Sequence, residues 1–186
     1  MNLFQLSIFT AIIANTLIGL FAFGLQIRRT ANQAYLVLTI VLFAWLGCLA
    51  QSTFAKNAAQ MENWVRISSL AAAYIPFAMN FLRLTLRNST RPIIRTLLLS
   101  WRWLLVLVGI GILSQTRFFM SGVDMPSGSH SVAKPHYGPG FLVFNLYFAA
   151  AWIWLVFFCF RDAKNSEGIQ RTEIQFVLLG CGGGLL

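Results

Sequence analysis

The chain has 186 residues, of which 58% are hydrophobic and only 10% are charged, and its formal net charge is +9. Soluble domains carry about a quarter charged residues, and one small core could not hide this much apolar surface. The composition therefore excludes an ordinary soluble fold and predicts an all-α integral membrane protein. A net positive charge is typical of membrane proteins, because the cytoplasmic ends of their helices are rich in Lys and Arg. The charge of this chain therefore indicates no nucleic-acid partner.

Six apolar runs follow one another along the chain and predict a polytopic bundle of transmembrane helices. Five of them are long enough to cross roughly 30 Å of hydrocarbon at about 1.5 Å per residue. The sixth stops at Leu186 after 13 residues, which is too short for a crossing, so we expect the sequence to end inside a helix. Residues 1–186 are expected to form one transmembrane domain with five full spans and a partial sixth, at about 3–27, 35–55, 67–86, 96–116, 141–160 and 174–186.

The distribution of basic residues predicts which side of the membrane each loop faces. One set of alternate loops holds ten Lys and Arg, and the other set holds four. Because cytoplasmic loops are enriched in basic residues, we expect the N-terminus outside and the loop between the third and fourth spans inside. Five arginines cluster around that loop and are expected to anchor the chain to anionic headgroups. They are Arg83, Arg87, Arg91, Arg95 and Arg102. A specific lipid site, or a coupling contact with a cytoplasmic domain, is the alternative role for them.

The stretch 117–140 is expected to be a long extracytoplasmic loop. It holds both histidines of the sequence, His130 and His136, together with Asp124. A metal or pH sensor is one hypothesis for these three side chains. Their spacings of six and twelve residues from Asp124 match no metal motif, so we favour solvated loop residues and predict no metal site.

The spans contain little of the chemistry that marks pumps or enzymes. No acidic or basic side chain lies deep within a span, which weighs against a coupled transporter and leaves no axial histidine for a haem. Neither a nucleophile–base pair nor a metal cluster indicates catalysis, so no catalytic residue and no cofactor are predicted. The stretch Gly180-Cys-Gly-Gly-Gly184 follows no strand and is not a nucleotide-binding loop. Gly180 and Gly184 instead form a GxxxG pattern, which favours close packing within the bundle, with a dimer contact as the alternative.

Five polar or aromatic residues are candidates for lining a ligand site in the outer half of the bundle. Binding sites combine apolar walls with a few polar groups, and position along the spans places these side chains near the extracytoplasmic face. The candidates are Gln51, Trp64, Tyr137, Asn145 and Tyr147. Hydrogen bonding between helices is the alternative role for the amides.

Several loose motifs recur together and in a characteristic order. Asn63-Trp-Val-Arg66 leads into the third span, and Tyr137-Gly-Pro-Gly140 turns into the fifth. Arg171-Thr-Glu-Ile-Gln-Phe-Val-Leu-Leu-Gly180 opens the sixth. With the short loops and the expected outside N-terminus, this combination resembles the N-terminal seven-helix membrane region of bacterial and archaeal sensor histidine kinases. The resemblance covers the chain from about Phe9 to Leu186.

The resemblance implies a signal-input region in the cytoplasmic (inner) membrane of a two-component sensor histidine kinase. In that family a seventh helix leads into cytoplasmic modules, often a PAS domain and a dimeric kinase core. Besides membrane lipids, the implied partners are therefore a second copy of the protein, a kinase output domain in cis and a response regulator. This sequence departs from the pattern by stopping in its sixth helix. It offers no cytoplasmic phosphoacceptor histidine and no ATP-binding fold, so phosphotransfer is not expected from these residues themselves.

Two other functions stay open at the level of the sequence. One is a self-contained small membrane protein, such as a transporter subunit or an assembly factor. The other is the input region of a diguanylate cyclase, because related membrane regions precede that output as well. The segment that follows Leu186 in the native gene distinguishes these functions.

Overall fold

The described part of the protein is built almost entirely from α-helices. A computed structural model describes residues 3–88, 93–125 and 134–183, and within these ranges there are seven helices and two short strands. The helices are α1 (Leu3–Leu25), α2 (Thr30–Ser52), α3 (Ala58–Arg87), α4 (Ile93–Leu99), α5 (Trp101–Ser114), α6 (Pro139–Lys164) and α7 (Gly168–Gly183), and the strands are β1 (Met120–Asp124) and β2 (Lys134–Tyr137). The expected all-α fold is confirmed.

Contacts between distant parts of the chain sort the loops into two ends of a bundle. At one end, which we call the arginine-rich end, the α1–α2 turn contacts α7 through Arg29, and the last turn of α3 contacts the last turn of α6 through Arg87. At the other, the hairpin end, α3 contacts the region that follows α5 through Arg66. This sorting agrees with the alternation of loops expected from the sequence.

Among the residues that the structure describes, four helices are long and apolar enough to cross a membrane, namely α1, α2, α3 and α6. The shorter α5 is also apolar. Many of the large apolar side chains on these helices are exposed, with Leu17 63% and Phe21 69% exposed on α1, and Leu146 63% and Ile153 71% exposed on α6. Such a surface suits lipid as the surrounding solvent. The exact number of spans stays a prediction.

The third helix begins nine residues before its expected span, at Ala58 instead of residue 67. The side chain of Asn57 explains the early start, because its Oδ1 accepts a hydrogen bond from the Gln60 amide at 2.8 Å and caps the helix. The polar link expected between the second and third spans is therefore helical from residue 58, and α3 has 30 residues and runs through Pro76.

The fourth expected span, over 96–116, is divided into α4 and α5 at Ser100. The Ser100 amide bonds to the Leu97 carbonyl at 2.9 Å, which is a tighter turn than an α-helix makes. Its hydroxyl donates to the Thr96 carbonyl at 3.1 Å and so competes with the helical backbone. The helix is thus interrupted at Ser100, which hydropathy alone did not indicate.

Helix α3 lies at the centre of the bundle and contributes to two buried clusters. One cluster joins α3 to α2, α6 and α7, and contains Leu82, Leu155 and Ile174. The other joins α3 to α5, α6 and the start of the hairpin, and contains Phe77 and Leu107. Because α3 touches both clusters, a displacement of this helix would disturb most of the bundle.

The described part of the expected long loop, over 117–140, contains two antiparallel strands that form a hairpin. Strand β1 pairs with β2 from Met120 opposite Tyr137 to Asp124 opposite Lys134, with a bulge next to Met120. Phe119 is fully buried and anchors the hairpin among the rings of helix α6. Gly138 allows a close backbone approach, because a Cβ there would lie 2.3 Å from the Phe118 carbonyl oxygen.

Candidate functional site

Helix α3 carries an arginine near each end, and each arginine contacts another part of the bundle. At the hairpin end, Arg66 donates hydrogen bonds to the Gln115 carbonyl and, at 2.7 Å, to the Met120 carbonyl. It also forms an ion pair with Glu62 one turn earlier at 2.6 Å. The same guanidinium therefore ties α3 to the end of α5 and to the first residue of β1.

At the arginine-rich end, Arg83 of α3 and Asp162 of α6 form a buried ion pair. Their nearest atoms, Nη1 and Oδ2, are 3.3 Å apart, and the two side chains are only 4% and 3% exposed. Arg87 and Arg161 approach the other carboxylate oxygen at 3.4 and 3.9 Å. Asp162 lies in the last turn of α6, where the helix dipole disfavours a negative charge. The surrounding guanidinium groups offset that cost.

Two aromatic rings of α6 complete the environment of Arg83. The guanidinium carbon lies 5.2 Å from the centroid of the Trp154 ring and 5.0 Å from that of Phe158. Cations are attracted to the faces of such rings, most of all when they are removed from water. Trp154 in turn makes an edge contact with Trp103 of α5 at 5.1 Å. The Arg83 side chain thus connects α3 with α6 and, through one ring, with α5.

The pairing in this cluster is incomplete. Arg83 Nε, Arg83 Nη1 and Asp162 Oδ2 are buried, and none of the three has a hydrogen-bond partner of good geometry among the described residues. Buried polar groups are normally satisfied, so an under-satisfied network stores free energy that a small rearrangement can release. We call Arg83, Asp162, Arg87 and Arg161 the Asp162 cluster.

Helix α7 is held at the same end by two further polar contacts. Arg29 Nη2, from the α1–α2 turn, donates to both carboxylate oxygens of Glu173 at 2.6 and 2.7 Å. Gln170 donates from its amide to the Leu86 and Arg87 carbonyls at 2.9 and 3.0 Å. The start of α7 is therefore fastened both to the α1–α2 turn and to the end of α3.

A cavity of about 660 Å³ lies between α2 on one side and α6 and α7 on the other, with α3 as its floor. Its walls are mostly apolar and include Leu38, Met79 and Phe176. The Arg29–Glu173 ion pair lies on its lining. A volume of this size is within the range of pockets that bind small molecules.

The structure does not bring the five predicted ligand residues together, and none of them lines this cavity. Gln51 and Asn145 are exposed, and Trp64 is half-buried on α3. Tyr137 stacks on Phe141 with ring centroids 3.8 Å apart, and burial raises the pKa of its hydroxyl. Tyr147 points into the bundle and donates to the Ala73 carbonyl at 2.9 Å. Asn145 and Tyr147 are two residues apart on one helix and so face different directions.

The predicted headgroup arginines divide into two kinds. Arg83 is buried in the bundle and contacts Asp162, whereas a role at the membrane surface was expected for it. The hydropathy of the sequence could not reveal an acidic partner on another helix. Arg87 is about half-exposed at the edge of the Asp162 cluster, and Arg95 and Arg102 are exposed. Arg91 lies outside the described residues. The headgroup role of the exposed arginines stays a prediction.

The structure describes the first glycine of the predicted GxxxG pattern but not the second. Gly180 lines the cavity, and a Cβ added there would meet nothing within 4 Å. No described helix therefore packs closely on Gly180, and the packing role of the Gly180–Gly184 pair stays a prediction. Gly184 lies outside the described residues.

The predicted loop residues show one contact. His136 Nε2 lies 2.8 Å from Asp124 Oδ2 across the hairpin, with both side chains more than half exposed. His130 lies outside the described residues. Over residues 3–88, 93–125 and 134–183, no group of three potential metal ligands occurs.

Asp162 and Glu173 are the functional candidates that the interpretation of the sequence missed. They are two of only five acidic residues in the chain, against fourteen basic ones. That scarcity was a usable signal, because each acid at a basic membrane boundary has several possible arginine partners. Which arginine it meets depends on how the helices pack, and only the structure shows this.

Long apolar helices, large exposed apolar surfaces and ion pairs that lie at the bundle ends within the described residues define a multi-pass membrane protein of helical type. Residues 6–182 match the family described as the N-terminal 7TM region of histidine kinase, and the chain belongs to this family. Among curated proteins and among solved structures, no match was found. Membership implies a linked cytoplasmic kinase domain in the full-length protein.

Proposed function

We propose that this chain is the membrane-embedded signal-input region of a two-component sensor histidine kinase. It lies in the cytoplasmic (inner) membrane with its N-terminus outside and its arginine-rich end in the cytoplasm. A signal from the membrane or the extracytoplasmic side alters the bundle, and the alteration passes to the kinase domain. The full-length protein acts as a homodimer and passes phosphate to a response regulator. Family membership supports the input role, and the excess of basic residues at one end supports the orientation.

The observation that carries the relay is that α3 joins the two ends of the bundle through Arg66 and Arg83. Arg66 binds the backbone at the start of the hairpin, and Arg83 binds Asp162 at the opposite end. A rotation or sliding of α3 at one end therefore changes the geometry of the pair at the other. Helix shifts of this kind are a common way of transmitting a signal.

The Asp162 cluster is suited to two alternative arrangements. Its acid faces three guanidinium groups and leaves buried donors without acceptors. An exchange of partners between Arg83 and Arg87 would keep the acid paired while moving α3 relative to α6. A signal needs to favour one arrangement by only a few kcal/mol to shift the populations from one to the other.

Autophosphorylation of the full-length protein in membrane vesicles tests this proposal. Replacing Asp162 by Asn keeps the shape of the side chain but removes the charge around which the arginines gather. We expect basal autophosphorylation to change by about fivefold or more, the size of a typical coupling free energy. Arg95→Met, which removes an exposed arginine at the same end, should leave it within about twofold, since surface charges contribute little. Unchanged autophosphorylation in a well-expressed Asp162→Asn protein would contradict the relay.

Two further experiments test the input role and the orientation. The native coding sequence after Leu186 should encode a further apolar run and then a kinase core; a diguanylate cyclase or an early stop codon there would refute the assignment. Reporter fusions should place Arg95 in the cytoplasm and Ser121 outside. The reverse result would overturn the orientation without affecting the family.

A further inference from the structure

We infer that the cavity between α2 and α7 is a binding site for a single-chain anionic amphiphile, such as a long-chain fatty acid. The chain of the ligand would lie along the apolar walls, and its carboxylate would lie at the arginine-rich end beside Arg29. This inference rests on the proposed function, because it assigns to the input region a chemical class of ligand.

The cavity is elongated along the bundle. On α2 its lining extends from Ala31 to Trp45, and on α3 from Leu86 to Ala72. Fourteen residues of helix rise about 21 Å. A volume of about 660 Å³ distributed over that length suits one extended chain rather than a compact molecule or a lipid with two chains.

Apart from the indole N–H groups of Trp45 and Trp152, the polar groups of the lining are confined to one end of the cavity. Arg29, Asn32 and Glu173 lie on the lining at the arginine-rich end, and Tyr35 follows one turn further along α2. Beyond Tyr35 the lining of α2 consists of apolar side chains up to Trp45. This distribution corresponds to a ligand with one polar end and a long apolar remainder, and it argues against a small polar solute.

The polar end favours a negative head. Arg29 already binds the carboxylate of Glu173, which shows that its guanidinium can hold this group here. Arg28 is adjacent in the chain and exposed, and it forms no ion pair within the part of the chain that the structure describes. Arg29 and Glu173 balance each other on the lining, and Arg28, which is exposed and not on the lining, adds a net positive charge at this end that a ligand carboxylate would neutralise. Binding would compete with Glu173 and loosen the hold of the α1–α2 turn on α7.

Photo-crosslinking tests the site directly. The probes are palmitic acid that carries a diazirine in its chain, its uncharged methyl ester, and a phosphatidylglycerol that carries the same chain. The protein is reconstituted in vesicles of phosphatidylcholine, and crosslinked residues are mapped by mass spectrometry. We expect the acid to label cavity residues of α2 and α3, among them Leu42 and Met79, more strongly than the ester or the phospholipid does.

Two matched variants distinguish the cavity from the general lipid-facing surface. Gly180→Leu places a larger side chain in the cavity, and its Cβ would meet nothing within 4 Å. Gly109→Leu places the same side chain at an equally open, exposed position on α5 that does not line the cavity. Labelling of the cavity should fall about tenfold or more in Gly180→Leu, as for an apolar pocket whose shape is altered. It should remain unchanged in Gly109→Leu.

Several outcomes would overturn the inference. If the labels are restricted to outward-facing residues, the cavity binds no acyl chain. Occupation of the cavity by a helix of the same protein or of a second copy would exclude the ligand in the same way. Equal labelling by the ester would exclude the carboxylate site at Arg29, and preferential labelling by phosphatidylglycerol would replace the fatty acid with a phospholipid. Because labelling is measured without kinase activity, failure here is separate from failure of the proposed function, which the downstream gene and the Asp162→Asn phosphorylation assay decide.

Discussion

The cost of removing each partner of the Arg83–Asp162 pair is the most direct test of the physical account of this bundle. At 3.3 Å and an effective dielectric constant of about 20, the attraction between the two charges is about 5 kcal/mol. Desolvation of both groups offsets much of that attraction, so the pair itself is not a large source of stability. Removing one partner is different, because the other charge is left buried and uncompensated, which costs about 3–5 kcal/mol.

The structure predicts that the two single substitutions are unequal. Arg83→Met leaves Asp162 with Arg87 and Arg161, which approach its other oxygen at 3.4 and 3.9 Å. Asp162→Asn leaves three arginines facing one another without an acid. We therefore expect Asp162→Asn to lower the free energy of unfolding by about 3–5 kcal/mol and Arg83→Met by less. In the double variant the loss should be smaller than the sum of the two, because the buried charge is removed together with its partner.

Denaturation by sodium dodecyl sulfate in mixed micelles, followed by circular dichroism of the helices, measures these free energies. Asp124→Asn is the control, because it removes an exposed carboxylate, which lies beside His136 at the opposite end of the bundle. That control should change the stability by no more than about 1 kcal/mol. A loss of stability in Asp162→Asn no larger than that in Asp124→Asn would refute the importance of the buried pair, as would a larger loss in Arg83→Met than in Asp162→Asn.

Two further predictions concern the hairpin end and the contact between α1 and α2. Arg66→Ala should increase amide hydrogen exchange in the hairpin and destabilise the hairpin by about 1–3 kcal/mol, because the Arg66 side chain donates to two backbone carbonyls. The control, Arg117→Ala, removes an exposed arginine near the hairpin and should leave the exchange unchanged. Equal protection of the hairpin amides in both variants would refute the role of Arg66. Gly19→Ala should destabilise the bundle, because its Cβ would lie 2.3 Å from Thr39 Oγ1, whereas Gly47→Ala meets nothing within 4 Å and should stabilise α2 by up to about 1 kcal/mol. The same denaturation assay measures both, and a matching sign for the two alanines would contradict the close approach.

The hydropathy of the chain was sufficient to predict the lipid environment, the all-α class and the two ends of the bundle. These properties depend on the average hydropathy and charge of consecutive residues. The alternation of apolar and basic segments along the sequence is therefore enough to predict them. Helix boundaries were less predictable, because single side chains decide them. Asn57 starts α3 nine residues before its expected span by capping the backbone, and Ser100 divides the fourth run by bonding to its own preceding turn.

The candidate site depended on tertiary structure. From its position at the end of an apolar run, Arg83 was expected at the headgroups, yet it is buried because Asp162 and two aromatic rings of α6 lie opposite it. The cavity arises in a similar way, since its polar end requires Arg29 of the α1–α2 turn to meet Glu173 of α7. Such pairs are separated by 79 and 144 residues, so nothing in their local sequence indicates the partner. The sequence by itself determined that the chain enters a membrane and which loops share an end; the packing of the helices decided which charges are buried together and where a ligand has room to bind.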